Sequence, residues 1–127
     1  MTLEEFNSKY VYKTDKNKFG FIEVWEIPKL QEDGFYYGDC ESYCRFLRNK
    51  VDGFKYWEYY YCKVRGEGHC VLYKDGGGID CREKRVLGFS EFVVRGEVTD
   101  WKKQHWFAVG SKIVVGKVLS WISLLRR

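Results

Sequence analysis

Proline occurs once in the 127 residues, at Pro28, and no segment is of low complexity, so the chain offers neither a linker nor a boundary between domains. It carries no internal repeat, which excludes solenoids and propellers. Its longest uncharged run, Val118 to Leu125, falls far short of the about 20 residues that span a bilayer. Met1 to Lys9 hold two glutamates and no apolar core, so no signal peptide is read there. Cys-x2-Cys pairs are also missing: Cys40, Cys44, Cys62, Cys70 and Cys81 are five, an odd number, without zinc-knuckle spacing. A single domain covering 1–127 in a reducing, cytoplasmic setting is the expectation, and at this length it can bury a real core.

Aromatic residues are plentiful, at 19%. Phe54 to Cys62 reads as a strand with bulky groups on both faces, one packed on a helix and the other covered or lining a groove. The formal net charge is +4, but six basic and no acidic residues follow Asp100, leaving sixteen basic and eighteen acidic residues before them. Within that tail Lys112, Gly116, Ser120, Ser123 and Arg127 make one narrow polar stripe, so 111–127 reads as an amphipathic helix. Its apolar remainder needs cover, by the protein's own core first, by a membrane surface or a partner second; the β-branched residues 113–115 leave a strand open there as well. No nucleic-acid partner is expected, because a pI near 8.7 is only weakly basic and no recognition motif is present.

The chemistry concentrates in Gly38-Asp39-Cys40-Glu41-Ser42-Tyr43, in Gly68-His69-Cys70-Val71 and in Ile79-Asp80. Asp39 is a good N-cap for a helix of about three turns carrying Tyr43, Cys44, Phe46, Leu47 and Val51. Cys40 then sits in the first turn, where the helix dipole and free N–H groups favour thiolate, the attacking form. Gly68 to Tyr73 alternates as a strand, with His69, Val71 and Tyr73 on one face and Cys70 and Leu72 on the other. Lys74-Asp75-Gly76-Gly77-Gly78 signals a hairpin. If Tyr73 pairs with Gly78, Asp80 is the same-face diagonal neighbour of His69, and a register one step tighter puts the two directly opposite. An intermediate register would put them on opposite faces. Asp80 would hold one imidazole nitrogen and leave the other for Cys40.

This pattern resembles the transglutaminase-like superfamily, most closely the small bacterial transglutaminase-like cysteine peptidases. Their Gly-Asp-Cys-Glu-Asp-Tyr motif matches Gly38 to Tyr43 with Ser42 for the second Asp, their Gly-His-small-Val-Leu strand matches Gly68 to Leu72, and their downstream Asp matches Asp80. Their Trp-x-x-Pro element looks like Trp25-Glu26-Ile27-Pro28. The resemblance covers about Trp25 to Arg82, under half of the chain. It implies an α+β, papain-like core with the cysteine helix packed on an antiparallel sheet that carries His and Asp. In adhesin-cleaving members, acidic residues beside the cysteine help bind calcium. Asp39 and Glu41 hold those positions, but Ser42 removes an oxygen and two carboxylates are few for calcium, so no cofactor is predicted. For the oxyanion the backbone N–H of Cys40 is the first donor, with Gln31 and Trp25 as candidates for the second.

Each residue also has a plain structural role to weigh. Cys44, Cys62, Cys70 and Cys81 read as core fillers, His105 as a structural group, and Trp25 as a buried aromatic of a strand from Phe19 to Ile27. Asp80 can simply close its hairpin, with Glu67 and Asp75 as substitutes beside His69. The leading expectation is a cysteine hydrolase acting on a peptide or protein amide through Cys40, His69 and Asp80. A binding or adaptor protein that keeps the frame without turnover is the alternative.

Overall fold

A computed structural model of the chain describes residues 1–13 and 27–103. The expected tail helix at 111–127, His105, Trp25 and most of the strand from Phe19 to Ile27 lie outside the described residues. The architecture is α+β. Among the described residues, a five-stranded antiparallel sheet in the order β6 (Leu87–Gly88), β5 (Gly77–Ile79), β4 (Glu67–Lys74), β3 (Glu58–Val64) and β7 (Val98–Lys103) has helices on both faces, and β1 (Tyr10–Tyr12) and β2 (Tyr36–Gly38) form a two-stranded parallel ribbon. No described helix is long and apolar enough to cross a membrane.

The chain opens with α1 (Leu3–Lys9), which the sequence reading passed over. Thr2 caps it, its Oγ1 accepting the Glu5 N–H at 3.1 Å, and Glu4 and Glu5 suit the positive end of the helix. One residue anchors it: Phe6 is fully buried and stacks on Phe46 at 4.0 Å. Burying such a ring contributes about 1.5–3 kcal/mol, enough to hold a seven-residue helix that could not persist alone. Next comes β1 (Tyr10–Tyr12), pairing in parallel with β2 (Tyr36–Gly38). The Tyr10 hydroxyl donates to the Gly38 carbonyl at 2.7 Å, tying the two strands at the start of the cysteine motif.

Helix α2 (Cys40–Lys50) begins where expected, and Asp39 caps it, Oδ1 accepting the Ser42 N–H at 3.0 Å. The strand read at Phe54 to Cys62 is displaced: β3 is Glu58–Val64, and Phe54 to Trp57 form a turn closed by the Trp57 N–H on the Phe54 carbonyl. Phe54 still reaches the core, but from that turn, because Asp52 and Gly53 redirect the chain as α2 ends and β3 finds a ladder partner only from Glu58, opposite Tyr73. β4 (Glu67–Lys74) returns through a tight turn at Arg65 and Gly66. A second turn, Asp75 and Gly76 with φ of 49° and 81°, leads to β5 (Gly77–Ile79), with Tyr73 opposite Gly78, the first of the registers weighed above. β6 (Leu87–Gly88), α3 (Phe89–Gly96) and β7 (Val98–Lys103) complete the described fold.

The sheet separates two apolar clusters. Phe6, Tyr10, Tyr43, Cys44, Phe46, Leu47, Cys70, Leu72 and Ile79 gather on the side of α1 and α2. Cys62, Val71, Leu87 and Phe92 gather on the side of α3. All five cysteines are free and buried, consistent with the core-filling reading for four of them.

Candidate functional site

Cys40 stands at the first position of α2, set there by the Asp39 cap and by the close approach of β2. A Cβ on Gly38 would lie 2.6 Å from the Ser42 Cβ and 3.2 Å from Pro28 Cγ, so only glycine lets the helix start this near the strand. Ser42 is therefore buried against β2.

His69 and Asp80 are joined. The Tyr73–Gly78 register makes them diagonal neighbours, and His69 Nε2 lies 2.7 Å from Asp80 Oδ2. Asp80 is fully buried, one residue past the end of β5. Its other oxygen accepts the backbone N–H groups of Arg82 at 3.1 Å and Glu83 at 2.7 Å, and its carbonyl accepts that of Lys84. Asp80 thus both closes a turn and holds an imidazole. Against an ionised carboxylate Nε2 carries the proton, which leaves Nδ1 as the basic nitrogen. Nδ1 has no hydrogen-bond partner among the described residues.

Thiol and imidazole meet at a cavity of about 500 Å³ at the end of the sheet, lined by Cys40, His69, Tyr12, Glu67, Cys81 and Arg82 among others. They are not hydrogen-bonded to each other. Strand alternation puts His69 on the side of Val71 and α3, whereas α2 packs on the side of Cys70 and Leu72. What brings Cys40 close is the residue after His69: the Cys70 N–H reaches Cys40 Sγ. The Cys70 carbonyl in turn accepts from Cys44 Sγ at 3.4 Å.

The expected pre-activated thiolate is not what surrounds Cys40. Burial pushes the thiol well above its ordinary range, the Glu41 carboxylate pushes it further, and the Cys70 N–H only partly opposes them. Sγ donates to Glu41 Oε2 at 3.2 Å, while the Tyr61 hydroxyl donates to Glu41 Oε1, also at 3.2 Å. Burial and the neighbouring Asp39 raise Glu41 itself to about 7. Sequence reasoning weighed Glu41 for calcium and not as a partner of the thiol, because nothing in the motif says where a flexible carboxylate turns.

Family models, curated proteins and solved structures provide no match to the chain. Its chemistry therefore rests on its own residues. Among the described residues no group of three or more His, Cys, Asp and Glu side chains is arranged to hold a metal. The two carboxylates that the resemblance assigns to calcium are engaged elsewhere, Asp39 on the helix cap and Glu41 on Cys40 and Tyr61, and do not present the six to eight oxygens that ion takes. Gln31 is exposed, its amide donating to the Lys29 carbonyl, and it is absent from the cavity wall. Trp25 lies outside the described residues. The Cys40 N–H lies at the open end of α2, beside the thiol.

Proposed function

We propose that the protein is a cysteine hydrolase of the transglutaminase-like type, with a papain-like core, that cleaves an amide in a peptide or protein. The observation that carries the reading is the 2.7 Å His69–Asp80 contact, with His69 lining a cavity that is also lined by Cys40 at a helix N-terminus. In this scheme the Cys40 sulfur attacks the amide carbonyl as its proton passes to His69 Nδ1, and the Cys40 N–H supports the developing oxyanion. The protonated imidazole, oriented by Asp80, then gives its proton to the departing amine, and water releases the thioacyl group by the reverse relay. The ring must close on the thiol when substrate enters, a tightening that catalytic hydrogen bonds commonly need in free enzymes.

A second reading has an observation of its own. The thiol donates to a carboxylate rather than to the imidazole, as it would in a binding or adaptor protein that keeps the frame without turnover. Cleavage of a proteome-derived peptide library, read by mass spectrometry, separates the two. The hydrolase reading expects wild-type cleavage that vanishes in Cys40→Ala and falls at least a hundredfold in His69→Ala. Wild-type cleavage indistinguishable from Cys40→Ala removes the hydrolase and leaves the binding protein.

A further inference from the structure

We propose that Glu41 is a positioning residue that holds Cys40 in a resting thiol form, so that the nucleophile is freed only when this carboxylate is neutralised or drawn away. The inference rests on Cys40 being the reactive thiol of the site above.

The argument begins with Glu41 in the first turn of α2, where it follows Cys40 and curls back so that Oε2 takes the thiol proton's hydrogen bond at 3.2 Å. Its other oxygen is pinned from β3 by the Tyr61 hydroxyl. A carboxylate anchored from two elements is a fixed acceptor, not a surface group that happens to swing by. Ionised carboxylates only accept, so Glu41 stabilises S–H and repels S⁻ at the same contact.

The other groups around this pair do not cancel that effect. On α2's own end, the Asp39 carboxylate is a second negative charge and the open helix terminus opposes it. From β1 the Tyr12 phenol faces the pair, and from β4 the Cys70 N–H reaches Sγ. No cation is hydrogen-bonded or ion-paired to Glu41 among the described residues. Burial first, and the adjacent carboxylate after it, outweigh the helix N-terminus at this first-turn cysteine, which explains why a motif that reads as activating surrounds a thiol held above its ordinary range.

A group entering the cavity that carries a positive charge or a hydrogen-bond donor can draw Oε2 off the sulfur. That leaves Sγ–H free to turn toward His69 Nδ1. Substrate would thus release its own nucleophile.

The test is the rate of iodoacetamide labelling at Cys40 from pH 5 to 10, read by peptide mass spectrometry on the full chain. Glu41→Gln keeps the shape, removes the charge and supplies an N–H that can donate to thiolate. At pH 8.5, above the value of about 7 to which Glu41 is raised and so with the wild-type carboxylate ionised, it is expected to label at least tenfold faster than wild type, a downward shift of one pH unit or more. Glu41→Ala, which also removes the charge, should move the same way. Glu41→Asp, which retains the charge, should stay closer to wild type than to Glu41→Gln. A merely structural role gives the opposite order, since Gln is the isostere. Labelling of Glu41→Gln within threefold of wild type, or slower, overturns the proposal. Faster labelling in a protein that cleaves no peptide keeps the hold and removes the hydrolase; Cys40-dependent cleavage with an unmoved labelling profile does the reverse.

Discussion

Replacing Asp80 tests the structural and the chemical halves of the site together. The carboxylate is fully buried and accepts three hydrogen bonds, two from the turn N–H groups of Arg82 and Glu83 and one from His69, with Arg82 Nε a further 3.5 Å away. Hydrogen bonds to a charged group contribute about 1.5–3 kcal/mol each. Asp80→Asn keeps a carbonyl oxygen for the two turn donors and exchanges the charge-assisted bond to His69 for a neutral one of reversed direction, so it should cost about 1–2 kcal/mol. Asp80→Ala strands all three donors and the guanidinium, and should cost about 3–5 kcal/mol, as breaking buried pairs does. Both follow from urea unfolding midpoints at constant m-value. Nitrogen-15 shifts of the His69 ring supply an independent signature: the Asn amide must face Nε2 as a donor, so the ring proton moves from Nε2 to Nδ1. An Asn variant as unstable as the Ala variant would refute the division of labour between the two oxygens. An unchanged tautomer would refute the orienting role.

Two further predictions concern packing and pH. Gly38→Ala places a methyl 2.6 Å from the Ser42 Cβ and should destabilise by about 1–3 kcal/mol, with part of the loss recovered by adding Ser42→Gly; thermal unfolding of the single and double variants tests it, and an unaffected single variant refutes the close approach. Burial raises the Cys62 and Cys81 thiols to about 12 and Cys44 well up. Because the folded state then holds these protons more tightly than the unfolded chain, their contribution is fully present below about pH 8.5 and is lost as pH rises toward 12, so urea midpoints under reducing conditions should fall steadily through that window, and a flat profile would contradict the burial.

How much of this was legible in the sequence depends on the range of the interaction. The Asp39 cap, α2 and the Asp75-Gly76 hairpin rest on neighbours within a few residues, and all three stand as read. The His69–Asp80 contact was legible for the same reason, since a two-residue turn fixes the register of everything behind it. The start of β3 was misplaced because aromatic content does not distinguish a strand from a turn that buries one of its rings. Helix α1 went unread because its seven residues bury a single side chain, and most of the rings that Phe6 packs against, those of Tyr36, Tyr43 and Phe46, lie far away in sequence. The state of Cys40 was misjudged because dipole and cap are sequence-local, whereas burial and the Tyr61 anchor on Glu41 are tertiary.

The shortness of β5 links these features. Its ladder with β4 runs only from Lys74–Gly77 to Leu72–Ile79 and so stops short of Cys70. There α2 reaches the strand with two thiols, Cys40 accepting from the Cys70 N–H and Cys44 donating to its carbonyl. The same early stop lets the chain turn at Asp80 and aim its carboxylate at His69 instead of continuing opposite Val71. A strand two residues longer would pair Cys70, exclude Cys40 from its place and turn Asp80 into an ordinary ladder residue. Cysteine and Asp–His pair therefore depend on one event, the end of β5 at Ile79, which is why residues forty positions apart in sequence line a single cavity.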